Sequence, residues 1–217
     1  MHTTIIRMET KNIQDKLGQM VKIVITQHFN IAKALEKNNK EKALVILSDD
    51  RLVNAKFDEI TADLEFLITK TPLDKDLRRT MAYIMIAQDL ERIGDYVKYI
   101  GNFVIQSQEL VDSSIVRILK IHRPFMRMLK KLILIIDDEK YNDAIKLAKS
   151  DRLIDNLTDE LRTDLISSIA NHKNKKDIAA RVFAMNVISG IERAADHITH
   201  ICELIAYIHT GKHVDLE

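Results

Sequence analysis

Apolar residues recur along this chain at steps of three and four. One run is Tyr83, Ile86, Leu90, Ile93, Val97, Ile100 and Val104; another is Ala184, Val187, Ile191, Ala194, Ile198, Ile201, Ile205 and Ile208. That rhythm puts the apolar side chains on one stripe of an α-helix and leaves the other face polar. Followed from end to end, it predicts six long helices, roughly over 11–37, 40–70, 74–108, 113–137, 140–172 and 176–209. Asn38-Asn39 and Thr71-Pro72 punctuate the first three, and Asp112-Ser113-Ser114 offers an N-cap to the fourth. Pro124 lies about three turns into the fourth helix. It removes a backbone donor, which predicts a kink or break that the corresponding stretch around Ile23 lacks.

The pattern also repeats. Glu91-Arg92 and Asp95 reappear as Glu192-Arg193 and Asp196, an offset of 101 (192 minus 91). The same offset carries Asp50-Arg51-Leu52 onto Asp151-Arg152-Leu153, Asp58-Glu59 onto Asp159-Glu160, Asp63-Leu64 onto Asp164-Leu165, and Lys75-Asp76 onto Lys176-Asp177. No insertion separates these anchors. The expected architecture is therefore all-α: two tandem three-helix bundles, over 1–109 and 110–217, related by an internal pseudo-two-fold axis.

Composition supports the helical reading. Only 5 Gly and 2 Pro occur in 217 residues, whereas a sheet protein needs turn residues roughly every 8–12 positions. Hydrophobic residues make up 46%, ample for a core. The net charge of +1 has no clustered basic surplus, which argues against nucleic acid as a partner. Cys202 is the only cysteine and cannot form an internal disulfide. No apolar run approaches the ~20 residues that span a bilayer, and the opening Met1-His-Thr-Thr-Ile-Ile-Arg lacks the apolar stretch of a secretory signal. A cytoplasmic location is expected, with any membrane association indirect.

The candidate chemistry lies in paired acids. Residues four apart on a helix point within about 40° of one another, so Glu91 and Asp95 face one way, as do Glu192 and Asp196. Asp50 and Asp151 fall where the apolar stripes Ala43, Ile46, Val53, Ile60 and Ala144, Leu147, Ile154, Leu161 each skip a step. A carboxylate in a core stripe needs a partner. The candidates are an arginine (Arg92 for Asp50, Arg193 for Asp151), backbone donors or a metal. Asn54 and Asp155 follow one turn later. Oxygen-rich sets of this kind suit hard or borderline cations. Glu59/Asp63 and Glu160/Asp164 read as solvated surface. No Ser/His/Asp set, Cys/His pair or phosphate loop is present, so no catalytic residue and no organic cofactor is assigned. A metal-carboxylate bundle enzyme or a metal store is the alternative reading of the acids.

The segment Asp89-Leu-Glu-Arg-Ile-Gly-Asp-Tyr-Val-Lys-Tyr-Ile100 resembles the signature of the PhoU family, and Gly190-Ile-Glu-Arg-Ala-Ala-Asp-His-Ile-Thr-His-Ile-Cys-Glu203 resembles its second copy. The ending Ala206-Tyr-Ile-His-Thr-Gly211 is similar to that family's close. The resemblance implies tandem three-helix bundles and a cytoplasmic, non-enzymatic regulator of inorganic phosphate uptake and phosphate-starvation signalling. It implies binding to the ATPase subunit of the phosphate ABC transporter, binding to a phosphate-sensing histidine kinase where one exists, and a homodimer. It also implies metal clusters, with Fe or Zn, on acids at four-residue spacing: Glu91/Asp95 and Glu192/Asp196, supported by Asp151/Asp155 and Asp50/Asn54, with Glu203 in addition. Tyr99, Asn102 and His200 depart from the family pattern. With Asn54 in place of an acid, the first copy is expected to be the weaker site.

Overall fold

In the computed structural model, residues 2–48, 51–71, 74–106 and 112–216 are described. They form α1 (His2–Glu36), α2 (Lys40–Ser48), α3 (Arg51–Ile68), α4 (Asp74–Asp95), α5 (Val97–Gln106), α6 (Asp112–Asp138), α7 (Tyr141–Ala148), α8 (Arg152–Ala170) and α9 (Lys175–Thr210). No strand occurs among the described residues. These segments lie along the six expected rods. Among the described residues, the third rod is interrupted at Tyr96 and the fifth at residues 149–151. Asp50 and the expected bundle boundary at 109/110 lie outside the described residues.

Each rod turns its apolar stripe inward. All the seam positions named above on α4, α5 and α9 are buried. Ala43, Ile46, Val53, Ile60 and Leu64 are buried on α2 and α3, as are Ala144, Leu147, Ile154, Leu161 and Leu165 on α7 and α8. The first bundle packs α1 against α2, α3, α4 and α5; the second packs α6 against α7, α8 and α9. Between the bundles, α1 meets α6 and α4 meets α9. The first and third rods of each bundle thus face their own counterparts, as a two-fold axis requires. Rings 101 positions apart mark that axis: Tyr96 approaches His197, with centroids 5.9 Å apart. No helix among the described residues is long and apolar enough to cross a membrane.

On the fourth rod the expectation was a kink or a break at Pro124. α6 runs unbroken through Pro124, so the break does not occur. Buried Ile121, Phe125, Met128, Leu129 and Leu132 hold the helix on both sides of the proline, and this packing outweighs one missing hydrogen bond.

Candidate metal centre

The centre forms where the fifth rod is interrupted. Asp151 is not inside a helix, as its place in the apolar stripe implied. It caps the start of α8, after the turn that closes α7. Its side chain is 7% exposed and makes no capping bond. It turns instead toward α9, where Thr199 Oγ1 donates to it at 2.9 Å. Arg193, the arginine considered as its ion-pair partner, is exposed.

Around Asp151 the other acids converge. Asp155 stands one turn further along α8, and Asp196 faces it from α9; both are exposed. One donor oxygen from each of Asp151, Asp155 and Asp196 lies within 4.8 Å of the others, and among the described residues only these three gather in this way. Glu192 is half-buried and receives Arg162 Nη2 at 2.8 Å. Burial pushes the Glu192 carboxyl up, Arg162 pulls it down, and Asp196, Asp155 and Asp159 push it up again; the net direction is upward. Asp155 is likewise raised, by burial and then by Asp159. Carboxylates that raise one another are held close against their own repulsion, and a multivalent cation relieves that repulsion. The oxygen-only donor set and the spacing fit a hard or borderline ion.

Asp159 belongs to this cluster and was not singled out in the sequence. The signal was present as a ladder of acids at 151, 155 and 159, each one turn apart. Glu203 does not join it. It lies two turns beyond Asp196, about 10 Å along α9, and accepts the Leu216 backbone N–H at 3.0 Å.

The first copy is arranged differently. Asp95 is paired with Lys98 at 2.7 Å, Asn54 is exposed and Glu91 is half-buried. Asp50, the counterpart of Asp151, lies outside the described residues. The repeated pairs expected to be solvated surface are mostly exposed, and they also pair with the first helix of each bundle. Lys16 bridges Glu59 and Asp63 at 2.8 and 2.6 Å. Its counterpart Arg117 holds Asp164, and Lys120 holds Glu160, both at 2.7 Å.

A second polar cluster joins the bundles. Asp89 on α4 is 5% exposed. His197 Nδ1 reaches one of its oxygens at 2.9 Å, and His200 Nδ1 the other at 2.7 Å. Burial would raise the Asp89 carboxyl, but the two imidazoles win and hold it below its ordinary value. The hydrogen bond to Asp89 raises His200. The 101-residue offset maps Asp89 onto Gly190, whose missing side chain leaves room for Tyr99: a Cβ there would stand 3.1 Å from the ring. The same contact thus appears twice about the axis, once as Asp with His and once as Gly with Tyr. Asp89 lay inside the signature, but nothing in the linear order joined it to His197 and His200.

Tandem three-helix bundles of equal register, with acids at four-residue spacing beside the axis, define a class of helical repeat protein. The PhoU domain model matches residues 17–104 and again 118–205, and the chain belongs to the PhoU family. The two matches are offset by the same 101 residues as the motifs. A phosphate-specific transport system accessory protein PhoU homolog from Streptococcus pneumoniae serotype 4 is 25% identical over 211 residues, covering 96% of this chain and 97% of that protein. A homolog of the same name from Clostridium acetobutylicum is 26% identical over 215 residues, covering 98% and 97%. The crystal structure of the phosphate transport system regulatory protein PhoU from Streptococcus pneumoniae superposes with a TM-score of 0.88 at 24% identity, covering 97% of this chain and 99% of that one. That of PhoU from Pseudomonas aeruginosa gives 0.85 at 20% identity, covering 95% and 99%.

Proposed function

We propose that this protein is a cytoplasmic regulatory accessory protein of phosphate transport. It acts by binding rather than by catalysis. Its partners in this reading are the ATPase subunit of the phosphate ABC transporter and, where the organism has one, a phosphate-sensing histidine kinase; it works as a homodimer. The observation that carries the reading is the match of both repeats, in one register, to a domain whose curated relatives are named accessory proteins of phosphate-specific transport. The test is capture of the transporter ATPase subunit by the tagged chain, with phosphate uptake measured in a strain lacking the gene. Retention of the subunit and restored restraint of uptake are expected. Failure on both counts sinks the reading.

In the same proposal Asp151, Asp155, Asp196 and Glu192 hold Fe or Zn in the second copy. Glu91, Asp95 and Asn54, with Asp50, form a weaker counterpart. The bound ion would neutralise the crowded carboxylates and tie α8 to α9. Asp151→Asn/Asp196→Asn should remove most of the metal from protein purified without chelator, and Glu91→Gln/Asp95→Asn should remove less. Elemental analysis reads both, and the reverse order would show the ranking wrong. Binding should weaken as pH falls, because the ligands must be deprotonated.

A further inference from the structure

Past Glu203 the chain folds back along α9 and closes a second cavity, of about 440 Å³, that the acidic centre does not use. Its ionisable walls are His200, Glu203, His213 and Asp215, and no Lys or Arg lines it. Three of these side chains are positioned by groups outside the cavity. Asp89, itself 5% exposed, accepts from His200 Nδ1. An ionised carboxylate can only accept, so it fixes the proton on Nδ1 and leaves the Nε2 lone pair of His200 available. Leu216 N–H occupies Oε1 of Glu203 and leaves Oε2. His213 stacks on Tyr207 with centroids 4.3 Å apart.

We propose that His200, Glu203 and His213, with Asp215 at the rim, form a binding site for a borderline divalent transition ion of the Zn²⁺ type, closed by the C-terminal segment. A buried carboxylate on the far nitrogen of a histidine is the arrangement that orients imidazole ligands to metals and raises their basicity. Mixed imidazole and carboxylate donors select Zn²⁺, Ni²⁺ or Cu²⁺ over Mg²⁺ and Mn²⁺. The donors line the cavity without yet converging. His213 is exposed and turns inward from its stack on Tyr207 when the ion binds. The offset places Tyr99 and Asn102 at the positions of His200 and Glu203, so the first repeat lacks the site and each chain carries one. The site does not rest on the acidic centre or on a role in phosphate transport.

The test is calorimetric titration of chelator-stripped full-length protein with Zn²⁺, in an Asp151→Asn/Asp155→Asn/Asp196→Asn background. One equivalent beyond any held by the first-copy acids should remain there. His213→Ala, an exposed change outside every helix, should weaken it about tenfold or more. Asp89→Asn should weaken it by roughly 10–100-fold while leaving the ligands in place. Imidazole nitrogen shifts should show Nε2 of His200 coordinated with its Nδ1 proton retained. If the triple variant does not fold, His213→Ala in the natural sequence serves, and total Zn²⁺ should drop by one equivalent. No residual equivalent, or one indifferent to His213→Ala in whichever background folds, overturns the proposal.

Discussion

His28 on α1 and His122 on α6 meet across the bundle interface, with rings 5.8 Å apart and Phe125 packed against both. Both are buried. His28 Nε2 bonds the Ile93 carbonyl at 2.8 Å, while His28 Nδ1 and His122 Nε2 have no hydrogen-bond partner among the described residues. Burial pushes His28 down to about 4. Burial and then the neighbouring His28 push His122 down to about 3. In the unfolded chain both titrate near 6.5. The unfolded state therefore binds more protons below that pH, and stability is lost as pH falls from 6.5 toward 4. The loss for His28 alone is on the order of 3 kcal/mol. His200, raised by Asp89, contributes in the opposite sense, stabilising the fold at low pH and losing that as pH rises. The His122→Leu variant isolates the buried pair. Urea unfolding at pH 7 and pH 4.5 should show a smaller difference for His122→Leu than for the natural protein, and an equal difference would refute the assignment.

At the scale of elements, the stripe of each rod decides where it lies, and polar contacts adjust its ends. α9 starts on Asn174, whose side chain accepts the Lys176 N–H, and stops at Gly211, whose φ of 72° suits glycine. Pro124 is the element-scale anomaly, since it is buried within a continuous helix. Replacing it with alanine restores the N–H and removes the ring clash, worth about 3 kcal/mol in a helix interior. The lost burial of two methylenes costs about 1.5 kcal/mol. Pro124→Ala should therefore stabilise the protein by about 1.5 kcal/mol and raise its melting temperature by roughly 3–6 °C in calorimetry. A lower melting temperature would mean that the helix is built around the proline.

Across the whole molecule, the bundles are joined by apolar contacts and by polar joints, the Asp89 cluster and a second one at Glu139. Glu139, between α6 and α7, is gripped by Arg79 of α4 at 2.9 and 3.1 Å and receives the Tyr83 hydroxyl at 2.5 Å. Its own backbone carbonyl bonds His209 of α9. Tyr83 is 1% exposed, so removing the carboxylate strands a buried hydroxyl and a partly buried cation. Glu139→Ala should cost about 2–4 kcal/mol in denaturant unfolding. Glu139→Gln, which keeps an acceptor, should recover part of that loss. If Glu139→Ala unfolds like the natural protein, this joint is solvated and adds nothing to the interface.

The sequence by itself determined the helical class, the six rods, the repeat and the core stripes of the second, third, fifth and sixth rods. Each of these is a local periodic signal: Tyr83 to Val104 and Ala184 to Ile208 each bury one stripe, whatever the tertiary partner. It also named most of the acids of the candidate centre, because four-residue spacing is itself geometry. Tertiary structure decided which of those acids meet. Asp151, Asp155 and Asp196 converge because residues 149–151 interrupt the fifth rod beside α9, and stripe periodicity runs on through that interruption unchanged. Tertiary structure also moved Glu203 away to the C-terminal cavity. It paired Asp89 with His197 and His200 more than a hundred residues later. Such contacts depend on how two counterpart helices cross at an axis, and no local propensity records where that crossing falls.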